Sequence, residues 1–329
     1  MSVLDLDAPL VLDQAAEDTP PDVLPDYPPR LQNLSYSSIL DLHACPRKFQ
    51  LTRMKPDRER TNNPTFAFGH AVGEGIQSIL SDDDWNTTLI RMFRAWDIDL
   101  YMEDEKKYKG FFYAIQAVQK FIPLRETVFR DYEIAFFTDP NTGQEVPAVE
   151  LGFRITTPDG FKYRGYVDVV LRHKVTRELL VLELKTTGSR MPDPATFKNS
   201  GQALGYSVVL DAVAPGYSEY KVHYLVYSTT QMEYVSFPFT KSYLQRAEWI
   251  HSLILDVEMI KMYSREKLFP KHGESCFNFY SECEFYHCCN MSDSSLIPKE
   301  MAWKPARPEE KTIHIELTLM DLINAQIDR

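Results

Sequence analysis

With 329 residues, 44% of them hydrophobic and 12% aromatic, the chain can bury a sizeable core, which excludes a protein that is disordered throughout. Its formal net charge of −11 argues against a protein that coats nucleic acid through bulk positive charge, because such binding neutralises phosphates with Lys and Arg. No run of about 18 apolar residues occurs and the N-terminus is acidic, so we expect a soluble cytoplasmic protein without a membrane span or secretory signal.

The first 33 residues are predicted to be a disordered tail. Residues 1–30 contain six prolines, seven acids and a single base, so they contribute −6 of the net charge and have little apolar surface to offset the entropy of ordering. A helix is expected to begin near Ser35 or Ser37, where a hydroxyl can cap its free amides. Pro46 should break and restart this helix, with Cys45 at the break.

Helices dominate the rest of the N-terminal half, and strands follow. Apolar residues spaced three and four apart predict helices in the Gly-punctuated segment FAFGHAVGEGIQSIL, around Trp85–Trp96 and around Phe111–Tyr132. From Tyr132 the period changes toward two, which predicts a sheet of the segments YEIAFF, VPAVELGFRI, FKYRGYVDVVL and ELLVLELK. A helix over about Ala195–Val213, strands in KVHYLVYS and MEYVSFPF, and a helix over about Lys241–Tyr263 complete a mixed α/β core.

Two acids and a lysine stand in neighbouring apolar strands. Asp168 lies within GYVDVVL, where an acid must be paired, bind a metal or lie at an exposed strand end. Glu183 and Lys185, in VLELKTT, are two positions apart and share one face of their strand. If the strands form a hairpin, the three side chains make one patch that can bind Mg²⁺, activate a water and cleave a phosphodiester. The other interpretation is a salt-bridge cluster on the surface of a sheet.

The order of these motifs resembles a known family. GYVDVV, then ELK, then GQALGY is similar to the PD-(D/E)XK nuclease superfamily, specifically to its RecB-like branch, which includes CRISPR adaptation exonucleases and many phage nucleases. The resemblance runs from about Leu34 to Asn290 and includes SYSSILDLHACPRKF near the start. It implies an α/β, restriction-endonuclease-like core, with a mixed central sheet flanked by helices, a helical N-terminal elaboration and a C-terminal cysteine segment.

The resemblance also implies how the chain is divided. After the tail over residues 1–33, a nuclease domain is expected over residues 34–297, with a helical insertion at about 80–131 and the cysteines at 276–289. Residues 298–329 are expected to form a linker and a terminal docking element, IHIELTLMDLINAQI.

The same resemblance assigns roles to individual residues. The family's catalytic residues correspond in this sequence to Asp168, Glu183, Lys185, Gln202 and Tyr206. Asp168 and Glu183 would bind Mg²⁺ or Mn²⁺ together with the backbone carbonyl of Leu184, and Lys185 would be the catalytic lysine. Gln202 and Tyr206, four apart on one helical face, are the residues with which the family holds the lysine and the DNA.

One position departs from the family pattern. Gly73 stands where the family commonly has a histidine that binds the metal. His70 lies three residues earlier on the same helical face and is therefore the candidate ligand; the alternative is a packed histidine. Glu74 and Glu150 are weaker candidates for a supporting acid.

Four of the five cysteines fall within fourteen residues, a clustering more typical of a metal site than of disulfides in a cytosolic chain. Their spacing does not fit a zinc ribbon. It resembles that of RecB-like nucleases in which one cysteine before the core and three after it hold a 4Fe-4S cluster, here Cys45, Cys276, Cys283 and Cys289. Cys289 is preferred to the adjacent Cys288 because its spacing and the following Asn-Met match the family better. The alternative is a structural Zn²⁺ site that uses the same thiolates and His287.

We therefore predict a Mg²⁺- or Mn²⁺-dependent deoxyribonuclease of bacterial or phage type, an exonuclease acting on single-stranded DNA or duplex ends in recombination, repair or replication. One alternative is a nuclease subunit whose partners are recombination, repair or CRISPR-adaptation proteins. The other is a non-catalytic, metal-stapled DNA-binding module. Six bases between Arg47 and Arg60 are either a phosphate-binding patch or a solvated helix face.

Overall fold

The computed structural model describes residues 33–54, 64–96, 108–139, 142–190, 192–214, 219–266, 268–278, 281–287, 289 and 312–327. The helices are α1 (Tyr36–Ala44), α2 (Pro46–Met54), α3 (Pro64–Leu80), α4 (Trp85–Ala95), α5 (Phe111–Thr127), α6 (Ala195–Lys198), α7 (Gly201–Val213), α8 (Tyr243–Arg265) and α9 (Leu319–Ile327). The strands are β1 (Asn33–Leu34), β2 (Tyr132–Ile134), β3 (Phe136–Thr138), β4 (Glu145–Pro147), β5 (Val149–Thr156), β6 (Lys162–His173), β7 (Leu179–Thr187), β8 (Glu219–Ser228), β9 (Glu233–Ser242), β10 (Phe277–Asn278), β11 (Ser281–Glu282) and β12 (Ile313–Thr318).

A mixed sheet forms the centre of the fold. Its strands follow the order β12-β5-β6-β7-β8-β9, and β1 and β2 also pair with β6. β5, β6 and β7 are successive antiparallel neighbours, whereas β7 and β8 are parallel because the chain crosses over through α6 and α7. The predicted α/β class, a central mixed sheet flanked by helices, is confirmed.

Helices cover both faces of this sheet. One face packs against α1, α7, α8 and α9, through buried residues such as Leu42, Tyr206, Ile250 and Leu322. The other face packs against α3, α4 and α5, through buried residues that include Phe68, Met92 and Phe121. Burial on both faces explains why the central strands are nearly continuous apolar runs.

The predicted element boundaries are mostly confirmed at the N-terminus. Ser35 caps α1 by accepting a hydrogen bond from the Ser38 N–H, and α2 restarts at Pro46, with Cys45 as the C-cap of α1. Two boundaries were wrong. The helix predicted to reach Tyr132 ends at Thr127, because residues 132–134 pair with β6, and the helix predicted over 195–213 is two helices, α6 and α7.

The C-terminal element completes the sheet. β12 lies parallel to β5, so close that a Cβ added at Gly152 would lie 2.2 Å from the Thr312 carbonyl oxygen. α9 is fastened to the core through Gln326, whose amide donates to Asp211, the carboxylate that also pairs with the fully buried Arg246. Most of the predicted tail and of the linker after residue 297 lies outside the described residues. None of the described helices has the length and apolar character that a membrane span requires.

Candidate active site

The hairpin of β6 and β7 brings the two predicted carboxylates together. Its register runs from Arg172 opposite Leu179 to Val169 opposite Leu182, so Asp168 and Glu183 occupy the next level. There the side chain of Asp168 turns to the neighbouring strand, and its Oδ2 accepts a hydrogen bond from the Leu184 N–H at 2.9 Å. The backbone of Leu184 and both acids therefore lie at one point of the sheet.

Glu183 is a fully buried carboxylate beside a lysine. Its side chain has no exposed surface, and its Oε1 lies 2.5 Å from Nζ of Lys185, which remains 36% exposed. Apart from this ion pair, neither oxygen of Glu183 accepts a hydrogen bond from the described residues. A buried carboxylate with so few partners is costly, and a bound cation would offset that cost.

Burial and charge shift the pKa values of the whole group. Burial, followed by the charge of Glu183, raises the pKa of Asp168 well above its ordinary value, and Glu150 adds to the rise. Burial also raises the pKa of Glu183, although Lys185 opposes it. Burial alone would lower the pKa of Lys185, but the charges of Glu183 and Asp168 outweigh it and raise that pKa. The lysine therefore stays protonated beside the two buried carboxyl groups.

Lys185 begins a hydrogen-bonded chain that ends on α7. Its Nζ donates to Oε1 of Gln202 at 2.9 Å, and Nε2 of Gln202 donates to the hydroxyl oxygen of Tyr206 at 2.7 Å. Both α7 residues share one face of the helix because they are four apart, and the bond from Lys185 to Gln202 shows that this face meets β7. Burial, then the charges of the two carboxylates, raises the pKa of Tyr206, so its phenol remains neutral. The structure thus brings all five predicted catalytic residues to one site.

A third acid and a buried amide lie on the other side of Asp168. In the register of β5 on β6, Glu150 and Asp168 lie at the same level of the two strands, because they are flanked by the cross-strand pairs Val149 with Val169 and Leu151 with Val167. Nε2 of Gln77, on α3, donates to Glu150 Oε1 at 3.1 Å and to the Asp168 carbonyl oxygen at 3.4 Å. The sequence analysis missed Gln77; its only signal is a polar residue within an apolar helical run, and Gln77 is just 2% exposed.

A family model matches residues 33–290, the part of the chain that contains this site, and it describes the PD-(D/E)XK nuclease superfamily. The chain belongs to this superfamily. Membership makes the protein a nuclease, a hydrolase of phosphodiester bonds, and it confirms the family predicted from the order of the motifs. The narrower RecB-like branch is not decided by this match.

Solved structures resemble this nuclease only distantly. A proposed exonuclease from Eubacterium rectale is 12% identical, with a TM-score of 0.47 over 79% of this chain and 88% of that one. A protein named SSO0001 is also 12% identical, with a TM-score of 0.27 over 68% and 85% of the two chains. At these scores neither likeness carries an argument about function. No curated protein matches the chain.

The donor set of the nuclease fits a hard divalent cation. Asp168 and Glu183 supply carboxylate oxygens, and the buried oxygens of Glu183 lack hydrogen bonds that would otherwise compensate their charge. Within the described part of the chain, no three His, Cys, Asp or Glu side chains form a group that could hold a metal ion. Mg²⁺ suits such a site because it uses one or two carboxylates and keeps several of its waters.

The helix α3 runs past the site, and His70 lies on its exposed side. A Cβ added at the preceding Gly69 would lie 3.5 Å from Oγ1 of Thr186, which places this part of α3 beside the end of β7. Glu74 pairs instead with Arg91, whose Nη2 is 3.1 Å from it. Glu74 is therefore occupied by an ion pair, and the role of His70 as a ligand stays a prediction.

The described cysteines lie where the N-terminal helices meet the C-terminal segment. The Cys283 N–H donates to the Cys276 carbonyl at 2.8 Å, and Nε of Arg47, two residues after Cys45, donates to the Cys289 carbonyl at 3.2 Å. None of the four forms a disulfide bond with another described residue. Their sulfur atoms do not form a metal-holding group in the described residues, so the structure does not support the 4Fe-4S prediction or its zinc alternative. Cys288 lies outside the described residues.

The predicted basic patch is described only in part. Lys48 pairs with Asp41 at 2.8 Å, and Arg47 donates to Gln50 as well as to the Cys289 carbonyl. Residues 55–63, which hold the remaining bases beyond Arg53, lie outside the described residues.

Proposed function

We propose that the protein is a Mg²⁺- or Mn²⁺-dependent deoxyribonuclease that acts as an exonuclease on single-stranded DNA or duplex ends. The observation that carries this proposal is the convergence of Asp168 and the fully buried Glu183 at one level of the β6–β7 hairpin, with Lys185 paired to Glu183. Family membership supports the chemistry of phosphodiester hydrolysis. The choice of DNA, of an exonuclease and of the metal belongs to the proposal.

Each site residue has a role that its contacts allow. Asp168, Glu183 and the carbonyl of Leu184 would hold the cation, which when bound would act as a Lewis acid and lower the pKa of a bound water. Lys185, whose pKa is raised by the charges of Glu183 and Asp168, would bring a positive charge to the scissile phosphate and stabilise the negative charge that develops there. Gln202 orients the ammonium group, and Tyr206 in turn orients Gln202.

The experiment that tests the proposal is cleavage of end-labelled single- and double-stranded DNA in Mg²⁺, Mn²⁺ or EDTA. We expect metal-dependent release of nucleotides by the wild-type chain and none by Asp168→Ala or Lys185→Ala. Lys162→Ala, an exposed lysine at the start of β6, is the matched control and should cleave normally. Equal cleavage by wild type and both site variants, or cleavage that persists in EDTA, would refute the assignment.

We also propose that Cys45, Cys276, Cys283 and Cys289 bind a 4Fe-4S cluster that joins the two ends of the nuclease domain over residues 34–297. The support is the chemistry of four thiols and the backbone contacts between their segments. Iron and sulfide analysis of anaerobically purified protein tests it. Four iron atoms for each chain are expected, whereas stoichiometric zinc would favour the structural Zn²⁺ site, and neither metal would exclude both.

The biological setting extends the same proposal. DNA recombination, repair or replication fits a nuclease of this kind, and a larger complex, such as one for CRISPR adaptation, is the alternative. The two differ in a measurable way, because a dedicated subunit would be inactive alone although it binds Mn²⁺ at Asp168 and Glu183. A non-catalytic DNA-binding module would bind DNA without that cation.

A further inference from the structure

The central sheet is irregular at the level of Glu150 and Asp168, which lie between two regular cross-strand pairs. On one side of these acids, Val149 pairs with Val169, and both pack against the core beneath α3, α4 and α5. On the other side, Leu151 pairs with Val167, and both pack against the core on the opposite face of the sheet. Residues two apart in a regular strand share one face, so both strands change phase at the two acids. Glu150 also has a φ of 48°, in the left-handed region that residues with a side chain seldom adopt.

Gln77 holds Glu150 in this place. Its buried amide donates both to the Glu150 carboxylate and to the Asp168 carbonyl oxygen, so one side chain of α3 joins the two strands at their irregular level. An unfavourable backbone conformation persists only when its surroundings determine it. The contact therefore sets the position of Glu150 relative to Asp168.

Glu150 belongs to the electrostatic surroundings of the site, because its charge raises the pKa of both Asp168 and Glu183. Lys185, on the next strand, β7, pairs with Glu183. Independently, the buried oxygens of Glu183 accept no hydrogen bond from the described residues apart from the ion pair with Lys185. Mg²⁺ keeps several of its waters when one or two carboxylates bind it, so an acid beside Asp168 can contact the ion through such a water.

We infer that Glu150 orients a water bound to the divalent cation, on the side of Asp168 away from Lys185, and that Gln77 is the positioning residue for Glu150. This inference rests on the proposed nuclease function and extends it, because it adds a third acid to the site. Groups that hold a metal through its waters or orient its ligands typically change metal affinity by about 10- to 100-fold.

The test measures Mn²⁺ binding to the full chain by calorimetry. Asp168→Ala lacks a proposed ligand and therefore shows how much Mn²⁺ binds at other sites of the chain. Glu150→Gln keeps the size of the side chain and should raise the Kd for Mn²⁺ roughly tenfold. Glu145→Gln, at an exposed position of β4, is the matched control and should bind like wild type. Unchanged Mn²⁺ affinity in Glu150→Gln overturns the inference.

Thermal unfolding separates this role from a structural one. In EDTA, Glu150→Gln should unfold at a higher temperature than wild type, because it removes one of three neighbouring like charges. Mn²⁺ should then stabilise the variant less than it stabilises wild type. If Glu150 were only a structural residue, its replacement would lower the unfolding temperature in EDTA and leave the Mn²⁺-induced increase unchanged.

The role of Gln77 is tested by a double-mutant cycle. Gln77→Met removes the amide at similar volume and should weaken Mn²⁺ binding in the wild-type background but not in the Glu150→Gln background. Equal effects in both backgrounds would overturn the positioning role. If wild type binds no more Mn²⁺ than Asp168→Ala, the proposed function itself fails; if wild type binds and Glu150→Gln binds equally well, only this inference fails.

Discussion

The chain from Lys185 through Gln202 to Tyr206 leads to a graded prediction about catalysis. Replacing Gln202 by Leu removes the 2.9 Å hydrogen bond that orients the Lys185 ammonium group and leaves the lysine itself in place. A hydrogen bond to a charged group contributes about 1.5–3 kcal/mol. Since about 1.4 kcal/mol corresponds to a tenfold change in rate, cleavage should slow roughly 10- to 150-fold if that bond acts in the transition state.

Replacing the two hydrogen-bond partners of Gln202 should slow cleavage by more and by less than replacing Gln202 itself. Lys185→Met removes the charged donor and should slow cleavage by about 10²- to 10³-fold, as the loss of one such donor does in other enzymes. Tyr206→Phe removes only the 2.7 Å contact to Gln202, a neutral hydrogen bond worth about 0.5–1.5 kcal/mol, and should slow cleavage roughly 2- to 12-fold. Cleavage should therefore slow most in Lys185→Met, less in Gln202→Leu and least in Tyr206→Phe.

The assay is single-turnover degradation of end-labelled DNA at saturating Mg²⁺, with DNA affinity measured separately. The effects should appear in the rate constant, because Gln202 is expected to act on charge that develops during cleavage. Gln144→Leu, an exposed glutamine between β3 and β4, is the matched control. Wild-type rates in Gln202→Leu, together with a large loss in Lys185→Met, would refute the argument that Gln202 orients the lysine.

Two further predictions concern stability. Asp211→Ala leaves the fully buried Arg246 without its carboxylate and should lower the free energy of unfolding by about 3–5 kcal/mol in urea titrations; a loss below about 1 kcal/mol, typical of an exposed pair, would contradict this. The pKa of His43 is raised, because its hydrogen bond to Asp256 outweighs the effect of burial, which by itself would lower that pKa. This half-exposed imidazole stabilises the fold at pH values below its ordinary pKa, and the contribution, below about 1 kcal/mol, should disappear as pH rises through the raised pKa. Urea unfolding from pH 5.5 to 8.5 should show this decrease in wild type but not in His43→Asn.

Much of the architecture could be predicted because it depends on local patterns. The apolar runs around Asp168 and Glu183 indicated two adjacent strands, and a connection of a few residues favoured a hairpin. Gln202 and Tyr206 were predicted to share a face because helical spacing requires it. The helix ending at Thr127 was predicted too long, since the pairing of Tyr132 with His173 is a long-range contact that apolar spacing does not reveal.

The sequence by itself determined the chemistry available to this protein: a pair of acids with a lysine in apolar strands, in an order that matches a nuclease superfamily. Only the tertiary structure decided which other groups reach them. Gln77 and Glu150 come from a helix and a strand that are 73 residues apart in the chain, and their contact depends on how α3 packs on the sheet. Likewise, β12 joins β5 across more than 150 residues. Such pairings follow from packing the whole core, because the backbone groups of one strand can be satisfied by any strand that the fold brings beside it.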